Sequence, residues 1–130
     1  MRTNKIIYWI ATGLVAAGMA MSAFMYLSGN AELKQGFAMM GYPAHVIALL
    51  GVAKALGAVA LVVPGFPRIR EWAYAGFSFC FAGAVWAHIA TQTPFISPLL
   101  FLGLLAVSYI FNRKVSVASS SDRIWAAARA

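Results

Sequence analysis

The sequence predicts an all-α integral membrane protein, a four-helix bundle with both termini on one side and a short amphipathic helix in its first external loop. Three observations carry that prediction. Apolar residues make up 62% of the 130 residues and charged residues only 10%, whereas a soluble domain uses roughly a quarter charged residues to face water. The apolar residues fall into four runs close to the ~20 that a spanning helix needs. The ten Lys and Arg are segregated: with four spans, Arg2, Lys5, Arg68, Arg70, Arg113, Lys114, Arg123 and Arg129 share one side, and Lys34 alone faces the other. That asymmetry puts both termini in the cytoplasm. Apolar and aromatic content this high excludes a disordered tail. The net charge of +7 flanks the spans, so the lipid bilayer is the expected partner and nucleic acid is not.

The first span is expected over 6–28, an uncharged run. A cleaved signal peptide is its rival reading, with a basic start and small residues near Ala20-Met21-Ser22-Ala23. The apolar stretch is longer than such a segment normally carries, and cleavage would leave three spans with mismatched charges. Asn30 to Gly41 reads as the short amphipathic helix, with Asn30 as N-cap, Glu32 in the first turn and Leu33, Phe37 and Met40 on one face toward the outer headgroups. The second span, 44–63, holds one charge, Lys54, and stops at Pro64-Gly65-Phe66-Pro67. The third runs over 72–90. A short uncharged turn at 91–98 leads to the fourth, 95–111, bounded by Asn112-Arg113-Lys114. These make a membrane domain over 1–114. A cytoplasmic Ser-rich tail, 115–130, follows, with a weak interfacial helix after Ser121 that turns Ile124, Trp125 and Ala128 to the membrane.

Lipid tails are as apolar as leucine, so close approach through small residues has to hold the helices together. The candidate stripes are Gly13, Ala17 and Ala20 in the first span, Gly51, Gly57 and Ala58 in the second, and Gly76, Cys80 and Ala84 in the third. Packing is the plainest reading of each.

Lys54 is the most informative residue. A charge near mid-span costs several kcal/mol, and helical spacing puts it on the Gly51–Gly57–Ala58 face, pointing inward. Its side chain leans toward the helix N-terminus, away from the cytoplasmic side, so snorkelling inward is blocked. The spans hold no acid to neutralise it, so the amine must find hydroxyls, carbonyls, water or a ligand, or shed its proton. His88, on the stripe with Ala84, Cys80 and Gly76, leans the opposite way, and the two are expected to converge in the outer half of the membrane. Tyr26, Ser22, Glu32 and Thr91 complete that expected pocket. A hydrogen-bond network that only fixes helix register is the competing reading. His45, half a turn out of phase with Lys54, is expected at the outer interface in a structural role. A single cysteine, Cys80, makes no dithiol relay, and two His and one Cys without spacing point to no metal or haem site. Glu71 suits a helix N-terminus, and Trp72 and Tyr74 suit an aromatic belt.

Leu50-Gly-Val-Ala-Lys-Ala-Leu-Gly57, Gly41-Tyr42-Pro43, and Glu71-Trp72-Ala73-Tyr74-Ala75-Gly76-Phe77 followed by His88 resemble the DoxX-like family of small bacterial four-span inner-membrane proteins. The similarity runs from about Ile6 to Phe111, with 71–77 its most specific block, and Arg68-Ile-Arg-Glu resembles the opening of that block. The motif positions are Gly41, Tyr42, Pro43, Gly51, Lys54, Gly57, Glu71, Trp72, Tyr74, Gly76 and His88. The resemblance implies the four-span fold. The family name derives from a subunit of a thiosulfate:quinone oxidoreductase, so it also implies association with membrane redox systems, but it assigns no catalytic residue.

Together these readings lead to a polar pocket, Lys54 and His88 with Tyr26 and Glu32, that binds a lipophilic molecule such as a quinone. Nothing in the chain carries a redox cofactor, so no catalysis is expected without a partner subunit. Two other classes stay open. One is a proton or anion transporter, for which four short spans imply a homodimer; the other is a structural or assembly factor for a larger membrane complex.

Overall fold

The computed structural model describes residues 2–129. Five helices follow one another: α1 (Arg2–Leu27), α2 (Ala31–Met39), α3 (Ala44–Val62), α4 (Pro67–Ala90) and α5 (Ile96–Arg129). All but α2 are long and apolar enough to cross a membrane, and among the described residues there is no strand. The protein is a multi-pass membrane protein.

Local chemistry explains the breaks. The Asn30 side chain accepts from the Leu33 N–H at 3.0 Å and caps α2. At its other end Gly41, at φ 83°, supplies the left-handed residue that lets the Gly41 and Tyr42 N–H groups bond back to the Ala38 and Phe37 carbonyls at 3.0 and 2.9 Å. Pro43 precedes α3, and Pro64-Gly65 separates it from α4, which opens on Pro67. Arg70 donates to the Val63 carbonyl at 3.1 Å, closing the end of α3 against the first turns of α4.

Side-chain pairings fix the arrangement. Thr12 meets Ser108 and Gly18 meets Phe101, so α1 and α5 run antiparallel. Gly51 lies against Leu27 while Lys54 reaches back to Ser22, so α1 and α3 do too. Tyr74 pairs with Ser108 and Phe81 with Phe101, giving the same relation between α4 and α5. Each of the four long helices therefore touches two others, α1 and α4 sitting across from one another and α3 across from α5. Both described ends of the chain and the α3–α4 turn lie at one end of the molecule. The α2 segment and the α4–α5 turn lie at the other.

The centre is a dry layer of Val15, Leu61, Leu105 and Met19, joined by Ala58, Tyr74, Phe77 and Phe81. Phe77, Phe81 and Phe101 form a run of stacked rings with centroids 5.8 Å apart. In lipid this layer gains by dispersion contact, since transfer out of water contributes nothing between helices that lipid already surrounds.

Three expectations are corrected here. The stripe of Gly13, Ala17 and Ala20 faces outward; α1 instead buries Tyr8, Ala11, Thr12, Val15, Ala16, Met19 and Ala23. On α4 the buried residues are Tyr74, Phe77 and Phe81, while Gly76 is exposed and a Cβ there would meet nothing within 4 Å. Aromatic rings at i, i+3 and i+7 reach the middle of the molecule, which small side chains cannot fill. Only the α3 stripe packs as expected, with Gly51 against Leu27 and Tyr26 and Gly57 against the Phe77 ring. Finally, no Ser-rich break separates a fourth span from a tail helix. Helix α5 is unbroken for 34 residues, because neither Gly nor Pro follows Gly103, and Ser and Ala tolerate the helical backbone. At 1.5 Å per residue it is about 50 Å long, against the ~30 Å of a hydrocarbon core, so one end projects well beyond the span.

Candidate functional site

Lys54 is carried by the middle of α3 on the face that packs closest to α1. Gly51 one turn earlier lets α1 approach until Tyr26 Cβ stands 3.0 Å from where a Cβ of residue 51 would be. That approach wraps α1 around the lysine. Lys54 is 8% exposed. Its Nζ donates to Ser22 Oγ at 3.0 Å and stands 3.8 Å from the centroid of the Tyr26 ring. A protonated amine has three N–H donors. One is used by Ser22 and another direction is covered by the π-face of Tyr26, an attraction worth up to ~2 kcal/mol when desolvated. No carboxylate engages Nζ among the described residues, so its hydrogen-bonding capacity is only partly filled.

Two cavities with a shared wall lie in this region, and Lys54 lines one of them. One, of about 510 Å³, lies where α1 ends, α2 crosses and α4 ends; its walls include Tyr26, Glu32, Phe37, Cys80 and His88. The second, of about 480 Å³ between α3 and α4, is walled by Lys54, Gly57, Phe77 and Cys80. Leu50, Phe79 and Cys80 belong to both walls. These volumes fall in the range of small-molecule sites, and the walls have the usual make-up of many apolar side chains and few polar ones.

The residues singled out from the sequence therefore separate into two groups. Tyr26, Glu32 and His88 share the first cavity, and Leu33 and Phe37 of α2 and its C-cap Met40 line it too. Lys54 lines the neighbouring one and is joined to the first through the Tyr26 ring. His88 bonds within its own turn, Nδ1 to Thr93 Oγ1 at 2.7 Å. Thr93 in turn contacts the His88 carbonyl and Thr91 Oγ1, at 3.2 and 3.0 Å. This fixes the imidazole at the cavity wall, with Nε2 making no hydrogen bond among the described residues. Thr91 is exposed and returns its hydroxyl to the Ala87 carbonyl, so it is not part of the pocket. His45 is exposed and lines neither cavity.

Of the remaining motif residues, Gly41, Tyr42 and Pro43 shape the α2–α3 turn, with Tyr42 against Phe37 at 5.8 Å. Trp72 is 76% exposed, as a lipid-facing aromatic should be, and Glu71 is half-buried in the second turn of α4. Tyr74 departs from expectation. It is 3% exposed, and its hydroxyl is 2.7 Å from Ser108 Oγ, which is 2.6 Å from Thr12 Oγ1. The Tyr8 hydroxyl is buried nearby without a partner among the described residues. This cluster joins α1, α4 and α5 on the side of the Val15–Leu105 layer away from Lys54. Its members are single hydroxyls scattered in apolar runs, with no periodicity to betray them; Thr12 and Ser108 are separated by 96 positions.

A family model described as the DoxX-like family matches residues 10–111. No curated protein and no solved structure matches the chain.

Proposed function

Since the chain belongs to the DoxX-like family, we propose that it is an inner-membrane ligand-binding component of a quinone-linked redox system. It binds a quinone in the two adjoining cavities, and both termini lie in the cytoplasm. The observation that carries the proposal is the buried Lys54 amine, held by one hydroxyl and one ring face and bordering a cavity of about 480 Å³. A charge-assisted donor beside an apolar cavity is matched to a carbonyl oxygen, the polar atom that a quinone carries on an otherwise apolar ring. His88 Nε2, on the far wall of the adjoining cavity, suits a second oxygen, while Tyr26 holds the Lys54 amine in place. When bound, the quinone supplies electron-accepting chemistry; the chain's own residues bind and orient it, and electrons come from a partner subunit. The orientation rests on the eight basic residues at the end that carries both termini, against one at the other.

A proton-transport reading is supported less well. Between the hydroxyl cluster and Lys54 stand Val15 and Leu61, fully buried, and Leu105 and Met19, nearly so. This apolar layer interrupts any polar path.

The test is a quinone titration of the purified protein followed by tryptophan quenching. Lys54→Met is expected to weaken binding about tenfold or more, the scale of one hydrogen bond to a charged group. Methionine keeps the length and apolar stem, so the fold is retained. His88→Ala should cost several-fold, about what a neutral hydrogen bond contributes. Unchanged affinity in both variants overturns the proposal.

A further inference from the structure

A third cavity, of about 350 Å³, lies at the opposite end, between the first turns of α4 and the stretch of α5 just beyond its apolar run. Arg70, Glu71, Asn112, Arg113, Ser116 and Ser120 line it. Asn112 is only 7% exposed, and among the described residues its carboxamide makes no hydrogen bond, although it borders open space. A largely buried side chain whose carboxamide is free and reachable from the cavity is placed to bond a ligand there. Arg70 gives one guanidinium nitrogen to the Val63 carbonyl, while its Nε is buried and unpartnered. Lys114, next along α5, is turned onto the Phe111 ring at 4.8 Å, and Arg113 lines the cavity. Two guanidiniums against the single carboxylate of Glu71 leave the site net positive, and guanidinium, amide and hydroxyl groups together match the oxygens of a phosphate.

Depth indicates the source of that phosphate. The apolar run of α5 ends at Phe111, and Trp72, two residues beyond Arg70, is the kind of exposed aromatic that marks a membrane interface. Asn112 and Arg113 thus stand where the hydrocarbon gives way to headgroups. Basic pockets between spanning helices at this level hold anionic lipid headgroups. We propose that the cleft between α4 and α5 is a binding site for a phosphate oxyanion, that of an anionic phospholipid. The site is independent of the quinone reading and lies at the other end of the molecule. Ser116, one turn past Asn112 on the continuous α5, adds a hydroxyl to the site.

The test is native mass spectrometry of the full-length protein released from micelles containing phosphatidylglycerol or phosphatidylcholine, with and without added inorganic phosphate. Preferential retention of phosphatidylglycerol is expected. Arg113→Gln should lower it about fivefold, the effect of one basic residue near a membrane surface, and Lys34→Gln, at the other end, should leave it unchanged. Arg113 is exposed, so its replacement leaves the packing intact. Asn112→Asp, nearly isosteric but anionic, should abolish the preference. If inorganic phosphate at millimolar levels displaces the lipid, the site accepts phosphate from solution as well; if it does not, the lipid is the sole source. Equal retention of the two lipids, or a preference that survives both Arg113→Gln and Asn112→Asp, overturns the proposal.

Discussion

Replacing Gly57 by Val is expected to destabilise the protein by about 3 kcal/mol, the upper part of the range for overpacking a well-packed interior. A Cβ at this position would stand 2.5 Å from Cζ of Phe77 and 2.9 Å from Cε2. Moving the ring is costly, because Phe77 is buried and stacked on Phe81, itself stacked on Phe101. Either the stacked rings shift into the cavity that Lys54 lines or helices α3 and α4 separate, and both deform that cavity. Gly76→Val, on the same helix as Phe77 but bordering open space with nothing within 4 Å of a Cβ, is expected to change stability by less than about 1 kcal/mol. Detergent-induced unfolding followed by circular dichroism compares the two. Equal losses would mean that Gly57 does not mark a helix contact.

Ser108→Ala is the second large effect, expected at about 2 kcal/mol. Ser108 is fully buried and lies within 2.7 Å of both the Thr12 and the Tyr74 hydroxyls, so its loss strands two groups at once. Pairwise bonds of this kind in membranes average about 0.6 kcal/mol, but stranding a buried hydroxyl costs about 1–3 kcal/mol. The second quantity governs here, because Ser108 and Thr12 are both fully buried. Removing all three hydroxyls with Thr12→Val and Tyr74→Phe alongside Ser108→Ala should therefore recover part of the loss. Additive losses in the same unfolding experiment would show that the three hydroxyls act separately.

Much of the scaffold was legible in the sequence, for stated reasons. Apolar runs of spanning length marked the four long helices, and Asn30 and Gly41 bounded α2 through its cap and its left-handed turn. The inward direction of Lys54 followed from its spacing to Gly51 and Gly57. Other features were hidden by the same composition. In α1 and α4 every face is apolar, so periodicity cannot tell the buried stripe from the lipid-facing one; there the aromatic rings of α4, not its small residues, turned inward. Tyr74 looked like an interfacial aromatic because Trp72 is one, yet two positions along a helix is a rotation of about 200°, enough to carry it to the core. Proximity of His88 to Lys54 was argued from depth and from two stripes taken to face inward, and neither tells whether two side chains share a cavity or flank a common wall. Asn112 read as the end of a span; its burial needs the neighbouring start of α4, which no local pattern reveals.

The most direct test of the Lys54 site is ¹⁵N NMR of the side-chain amines in lysine-labelled protein, titrated with a short-tailed quinone. The chain has four lysines, Lys5, Lys34, Lys54 and Lys114, and only Lys54 is buried. A saturable shift of the Lys54 signal, absent from Lys5, Lys34 and Lys114, is the predicted result. A Lys54 signal unmoved at saturating quinone, or matched by equal shifts at the three exposed lysines, would contradict it.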